Sequence, residues 1–105
     1  MLNTTEILNL IKESVHATDP GATLILYGSY ARGDYREDSD MDILVLLDKE
    51  KITFEDRERI AFPLYSLGRD ADIHISPVFR VRNLWDTKHK ITPFYKNVSR
   101  EGVLL

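Results

Sequence analysis

The stretch Leu24–Leu47, LILYGSYARGDYREDSDMDILVLL, decides the fold of this chain. It contains two apolar runs, Leu24–Tyr27 and Met41–Leu47, whose residue types are typical of β-strands. The pair Gly28 and Ser29 ends the first run, and a polar segment connects it to the second. Because the second run is apolar at nearly every position, both of its faces are expected to be covered, which predicts a central strand.

Two carboxylates stand at the entrance of the second strand. Asp40 and Asp42 are two residues apart, so on a strand they project from the same face. Such a pair repels itself unless a cation or a proton lies between the groups, and Mg²⁺ accepts one or two carboxylates together with phosphate oxygens. The turn at Gly28 and Ser29 lets backbone N–H groups approach an anion and adds a hydroxyl. Each motif alone is typical of an ordinary turn or a solvated strand end, but their combination favours a site for a metal and a phosphorylated ligand.

The two motifs occur at a spacing that resembles a known family. Residues Gly28–Gly33 (GSYARG) and Ser39–Ile43 (SDMDI) are placed so that ten residues lie between Ser29 and Asp40. This pattern is similar to the signature of the nucleotidyltransferase superfamily that includes DNA polymerase beta, and most similar to the minimal nucleotidyltransferases of bacteria and archaea. The resemblance implies an α/β (α+β) fold, with a small mixed β-sheet flanked by helices.

Composition limits what else the chain can be. Its 105 residues are enough for a single domain, expected to span 1–105, with a modest hydrophobic core. The net charge of −3 argues against a general nucleic-acid-binding surface, and the absence of cysteine excludes disulfides and a cysteine-ligated zinc. No apolar run approaches the length of a membrane span, and the N-terminal sequence is not typical of a secretory signal. We therefore expect a cytoplasmic protein that does not bind membranes.

Helical patterns flank the two central strands. Thr4 or Thr5 is predicted to cap a first helix that continues to about residue 17, because apolar residues recur there at helical spacing. Residues Thr53–Leu67 predict a second helix, with its first residue as the cap and Gly68 as its C-terminal stop.

A third strand is predicted after the second helix. Residues Ala71–Ser76 (ADIHIS) alternate between polar and apolar, and Pro77 closes them. The alternation puts Asp72, His74 and Ser76 on one face. Because an acid on a covered sheet face needs a partner, this face is expected to lie beside the two acids of the neighbouring strand. His74 could line the part of the site that binds the acceptor of the transferred group, but a partly buried, hydrogen-bonded histidine is the favoured interpretation.

The C-terminal part of the chain gives weaker signals. Residues Phe79–Trp85 are compatible with a short helix or a turn, and Asn97–Leu105 with a short helix that Gly102 would stop. The apolar residues at the end of the chain either pack on the core or meet a partner.

The resemblance implies roles for three acids. Asp40 and Asp42 would bind a Mg²⁺ ion on a nucleoside triphosphate, and Asp72 would complete the site of a second Mg²⁺. These three residues form the predicted catalytic and metal-binding set. Asp70 is the alternative third acid, because a shift of two residues keeps the same strand face.

The resemblance also implies a phosphate-binding group. Gly28 and Ser29 would hold the phosphates of the nucleotide, and Arg32 is a further candidate for contact with them. The neighbouring acids Asp34 and Asp38 offer Arg32 an ion pair instead, so the sequence leaves both roles of this arginine open.

The implied reaction is the transfer of a nucleoside monophosphate, expected to be AMP from ATP, to an acceptor, with release of pyrophosphate. A chain of this length has little material for binding the acceptor. Minimal nucleotidyltransferases often act with a small helical protein of the HEPN type, as antitoxins of toxin–antitoxin pairs, and the resemblance implies such a partner. Two alternatives stay open: a non-catalytic subunit that neutralises or scaffolds a helical partner, and an α/β domain whose acids are structural. Self-association is open as well.

Overall fold

The strand predicted to be central lies in the middle of a four-stranded mixed sheet. The computed structural model describes residues 2–105 and contains β1 (Thr23–Tyr27), β2 (Met41–Leu47), β3 (Ile75–Val81) and β4 (Val103–Leu104). The strand order is β3-β2-β1-β4. β2 pairs antiparallel with β1 and parallel with β3, and β4 pairs antiparallel with β1. The predicted α+β class with a small mixed sheet is confirmed.

Helices cover both faces of this sheet. The helices are α1 (Thr4–Thr18), α2 (Ser29–Arg32), α3 (Phe54–Ala71), α4 (Arg82–Asp86) and α5 (Pro93–Glu101), with a 3-10 turn at Lys88–Ile91. α1 and α3 pack on one face, and α4 and α5 pack on the other. Within residues 2–105, no helix is long and apolar enough to cross a membrane.

Alternate residues of β2 enter two separate cores. The core against α1 and α3 receives Met41, Ile43, Val45 and Leu47. The core against α4 and α5 receives Leu44 and Leu46. All six side chains are at most 4% exposed, and burial of an aliphatic side chain contributes roughly 1.5–3 kcal/mol. This explains why the strand is apolar on both faces and why its position in the sheet is fixed.

The N-cap of the first helix lies one residue before the predicted position. Asn3 is its N-cap, and its side chain accepts a hydrogen bond of 2.8 Å from the backbone N–H of Glu6. The Glu6 carboxylate accepts in return from the Asn3 N–H, which completes a capping box. The prediction of Thr4 or Thr5 as the cap is therefore wrong, because the asparagine before them has the glutamate at the required spacing.

The second predicted helix, α3, is longer than expected at its C-terminal end. The cap at Thr53 is confirmed and forms a reciprocal capping box with Asp56. The predicted stop at Gly68 is wrong, because the helix continues to Ala71. A Cβ at Gly68 would collide with the carbonyl oxygen of Ile73, where the chain returns towards the sheet. Glycine is required here for close packing rather than for ending the helix.

The third strand starts four residues later than predicted. β3 covers Ile75–Val81 instead of Ala71–Ser76, and Pro77 lies inside the strand opposite Ile43 rather than closing it. A proline has no N–H to donate, but β3 is an edge strand and pairs on one side only. The segment ADIHIS instead consists of the last residue of α3, the connection that follows it and the first two residues of β3.

The C-terminal predictions are partly wrong. The helix or turn expected at Phe79–Trp85 begins only at α4, because its first residues belong to β3. The terminal helix starts at Pro93 and ends at Glu101, so the expected range Asn97–Leu105 lies four residues too far towards the C-terminus. The stop at Gly102 is confirmed, and β4 follows it and pairs with β1.

Candidate active site

The glycine turn lies directly against the first acid of β2. β1 ends at Tyr27, which pairs with Asp42 in the antiparallel ladder, and Gly28 follows. Gly28 has φ 76° and ψ −156°, a conformation that only glycine adopts readily. A Cβ at this position would collide with Oδ2 of Asp42. The sheet register and this glycine therefore bring the turn and the carboxylate into contact.

The residues after the turn form one tight helical turn. The backbone N–H groups of Ala31 and Arg32 donate to the carbonyl oxygen of Gly28, each at 3.1 Å. Gly33 ends the turn in the left-handed conformation. The rings of Tyr30 and Tyr35 stack with centroids 4.1 Å apart, which ties the turn to the following loop.

The two acids of the Asp-x-Asp motif have different environments. Asp40 is exposed and accepts a hydrogen bond of 3.0 Å from Nδ1 of His74. Asp42 is half-buried, and burial raises the pKa of its carboxyl group above the usual value, with the charge of Asp40 as the second cause. The positive charge of Arg32 opposes this rise of the Asp42 pKa. A half-buried acid beside a second acid is a place where a bound cation would relieve unfavourable charge.

Arg32 forms ion pairs with two acids. Its Nε lies 3.2 Å from Asp34, and its Nη1 lies 3.1 Å from Oε2 of Glu101. Glu101 Oε1 also accepts a hydrogen bond of 3.2 Å from the backbone N–H of Gly28. Of the two local partners that the sequence offers Arg32, the structure forms the pair with Asp34. Glu101 was missed, because it lies 69 residues away in the chain and no local pattern marks it.

Asp72 does not lie on a strand beside the two motif acids. It is the exposed C-terminal cap of α3, with φ 56°, and is not part of a strand. The expected strand face that carried it beside Asp40 and Asp42 is therefore wrong, and the residue of β3 paired with Asp42 is Ser76.

The surroundings of the two candidate third acids also differ. Asp72 lines an open cleft of about 600 Å³ together with Glu37, Asp38, Ser39, Tyr65, Arg69 and His74. The alternative, Asp70, lies on α3 and is exposed. Among residues 2–105, no group of three or more His, Asp or Glu side chains is arranged to hold a metal ion together.

The paired carboxylates nevertheless fit a magnesium ion bound with a nucleotide. Mg²⁺ binds hard oxygen ligands and commonly takes only one or two carboxylates, with phosphate oxygens and water completing its shell. The half-buried, unfavourably charged Asp42 and the exposed Asp40 supply such a pair beside the glycine turn. A mixed sheet with a glycine turn against Asp42, and with Asp40 two residues before it, is an arrangement suited to enzymes that act on nucleotides.

The comparison with protein families agrees with this arrangement. The family model described as the nucleotidyltransferase domain matches residues 8–103. The chain therefore belongs to the nucleotidyltransferase domain family, in its minimal branch, and is a nucleotidyltransferase.

Two curated relatives come from Methanocaldococcus jannaschii. The chain is 41% identical over 103 residues to "Putative protein adenylyltransferase MJ0141", with 93% of this chain and 97% of the relative covered. It is 34% identical over 82 residues to a second protein of the same description, MJ0604, with 78% of this chain and 75% of the relative covered.

Two solved structures share the fold. One is the crystal structure of a toxin–antitoxin with AMP-PNP, with a TM-score of 0.62, 23% identity, and 98% of this chain and 72% of that chain covered. The other is a mutant of the toxin–antitoxin MntA-HpeT, with a TM-score of 0.61, 22% identity and the same coverage. At these identities, the likeness extends to the fold.

Proposed function

We propose that this nucleotidyltransferase moves AMP from ATP to an acceptor on a partner protein. The observation that carries the proposal is the contact between the Gly28 turn and Asp42, with Asp40 on the same strand entrance. The relatives at 41% and 34% identity, both described as protein adenylyltransferases, support AMP and a protein acceptor.

In the proposed reaction an acceptor oxygen, such as a side-chain hydroxyl, attacks the α-phosphorus of ATP. A new P–O bond forms, the bond from the α-phosphorus to the bridging oxygen breaks, and pyrophosphate leaves with the bonding electrons. The acceptor proton passes to solvent. Asp40 and Asp42 would hold Mg²⁺, which when bound neutralises charge on the phosphates. Gly28 and Ser29 would bind and orient the phosphate chain through a backbone N–H and a hydroxyl.

Two further assignments stay predictions. Asp72, with Asp70 as the alternative, is the predicted third acid and ligand of a second Mg²⁺. Arg32 is the predicted phosphate contact, and its guanidinium already holds the carboxylate of Glu101 in the structure. The cytoplasmic location and a self-associated form are likewise predictions.

We further propose that the acceptor belongs to a helical toxin of the HEPN type. The two structures that share the fold are both toxin–antitoxin complexes, which supports a toxin partner. The outer face of α3 also leaves Phe54, Phe62 and Tyr65 exposed, by 75%, 68% and 48%. These aromatic side chains supply apolar area of the kind found at protein interfaces.

The test uses ATP labelled at either the α- or the γ-phosphate, with the protein purified together with its partner. Transfer of the α label to the partner, Mg²⁺-dependent and without transfer of the γ label, is the expected result. The variant Asp40→Asn/Asp42→Asn should lose it, whereas Asp38→Asn, an exposed acid two residues before the motif, should retain it. Separate Asp72→Asn and Asp70→Asn variants then show which third acid the reaction needs.

Other outcomes would refute parts of this proposal. Transfer of the γ label would indicate a kinase reaction. Full transfer by the Asp40→Asn/Asp42→Asn variant would show that the reaction needs neither acid. Nucleotide binding by the complex without any transfer would favour the alternative of a non-catalytic subunit that neutralises its partner.

A further inference from the structure

The carboxylate of Glu101 occupies the groups proposed to bind phosphate. Its Oε1 accepts from the Gly28 N–H at 3.2 Å and from Arg32 Nη1 at 3.2 Å, and its Oε2 lies 3.1 Å from the same Nη1. A backbone N–H and a guanidinium are donors that bind phosphate oxygens as readily as carboxylate oxygens. A carboxylate of the chain itself therefore already binds the donors that are proposed to bind phosphate.

The backbone holds Glu101 in position from both sides. It is the last residue of α5, and the N–H of Gly102 donates to the Val98 carbonyl at 2.7 Å. β4 then pairs with β1, which places Val103 opposite Leu26. A Cβ at Gly102 would lie only 2.8 Å from a methyl carbon of Ile25, so the chain passes close to the sheet. The backbone of Glu101 is therefore fixed between α5 and β4, and its side chain is only 17% exposed.

The negative charge of Glu101 also opposes phosphate binding. It adds a negative charge close to Asp42, where it contributes to the raised pKa of that carboxyl group. An incoming phosphate chain would meet this charge as well as the two acids of the motif. Glu101 therefore opposes phosphate binding both by occupying donors and by charge repulsion.

We propose that Glu101 sets the nucleotide affinity of this site as an internal competitor of the phosphates. The inference rests on the proposed function, because it takes the Gly28 turn and Arg32 as the phosphate-binding groups. Phosphate binding requires the Glu101 side chain to release Gly28 and Arg32, and a rotation of that side chain is sufficient for this. When no nucleotide is bound, the Glu101 carboxylate satisfies the hydrogen-bond donors of Gly28 and Arg32.

The test measures binding of inorganic tripolyphosphate, and separately of ATP with Mg²⁺, by calorimetry. Glu101→Gln removes the charge but keeps the shape of the side chain. Asp34→Asn is the matched control, because it removes one charge from a partner of the same arginine without touching Gly28. We expect Glu101→Gln to bind tripolyphosphate about three- to tenfold more tightly than the original chain, and Asp34→Asn to change it by less than about twofold.

Three results would overturn the inference. Unchanged or weaker binding by Glu101→Gln would mean that the carboxylate does not compete and instead serves to orient Arg32. Equal gains in Glu101→Gln and Asp34→Asn would mean that only the net charge matters. Absence of tripolyphosphate binding to both Glu101→Gln and the original chain would also refute it.

A second measurement on the unaltered chain covers the case in which Glu101→Gln does not fold. With glutamate labelled by ¹³C at its carboxyl carbon, tripolyphosphate should shift the Glu101 signal towards that of a free glutamate, together with the Gly28 amide signal. A shift of the Gly28 amide signal without a shift of the Glu101 signal would contradict competition.

Tripolyphosphate carries no nucleotide, so this test is separate from the test of AMP transfer. Tighter binding by Glu101→Gln in a protein that never transfers AMP would support the inference and refute the proposed function. AMP transfer by the original chain with no gain in Glu101→Gln would do the reverse.

Discussion

Replacement of Gly28 by alanine should be among the most damaging single changes in this chain. The backbone at Gly28 has φ 76° and ψ −156°, and holding a residue with a side chain in such a region costs about 1–3 kcal/mol. The new Cβ would also collide with Oδ2 of Asp42, and displacement of a packed group of this kind adds about 1–3 kcal/mol. The expected loss in the free energy of unfolding is therefore about 2–6 kcal/mol.

Gly33 provides the matched control for this prediction. It also has a positive φ, 85°, but no atom lies within 4 Å of the Cβ that alanine would add. Gly33→Ala should therefore show the conformational cost alone, about 1–2 kcal/mol. The difference between the two variants then contains the collision with Asp42 together with the extra backbone cost of the Gly28 conformation, and the mutant cycle with Asp42→Ala isolates the collision.

The assay is chemical denaturation of both variants, followed by circular dichroism and compared at equal pH and salt. The double variant Gly28→Ala/Asp42→Ala completes a mutant cycle, because removing the Asp42 carboxylate should recover about 1–3 kcal/mol of the loss at Gly28. Equal losses in Gly28→Ala and Gly33→Ala, or simple additivity in the double variant, would refute the proposed contact between the turn and Asp42.

Three further changes test other parts of the fold. Gly68→Ala should lower the free energy of unfolding by about 1–3 kcal/mol, measured by urea denaturation, because its Cβ would meet the Ile73 carbonyl; an unchanged midpoint would contradict this packing. Thr53→Ala should cost about 1 kcal/mol in the same assay, because it removes the acceptor of the capping box, and Thr53→Ser should recover most of the loss. The hydrogen bond from Lys49 is the main cause that holds the pKa of Asp56 below its ordinary value of 3.8. The ionised Asp56 therefore contributes to the free energy of unfolding above pH 3.8, and this contribution is lost as the pH falls below that value. Stability of the original chain should therefore fall more steeply than that of Asp56→Asn below that pH, and parallel curves would exclude the effect.

The central part of the fold was predictable because its signals are local. The apolar run of β2 and the turn at Gly28 are defined by neighbouring residues, and the short-range patterns of strand and turn apply directly. The caps show the limit of the same reasoning. The cap at Thr53 is predicted correctly, but Asn3 is not, because two threonines that can also cap a helix follow it directly.

The third strand could not be placed from its own residues. The alternating segment ADIHIS has the pattern of a strand, yet its first residue belongs to α3 and Asp72 turns the chain in the left-handed conformation. β3 gains its hydrogen bonds from β2 in a parallel register that begins with Met41 opposite Ile75. Such pairing depends on where the preceding helix ends, and α3 continues past Gly68 to Ala71.

The sequence by itself determined the adjacency of the glycine turn and the two acids. The turn follows β1, the acids stand at the start of β2, these strands pair antiparallel, and the chain between the two motifs is short. Only the tertiary structure decided the rest of the site: that Asp72 caps α3 instead of lying on a strand beside the two acids, and that Glu101 accepts a hydrogen bond from Gly28. The physical reason is the range of the interactions. The pair of strands is fixed by nearby residues, whereas the contact of Glu101 joins positions 73 residues apart and exists only because α5 and β4 pack against β1.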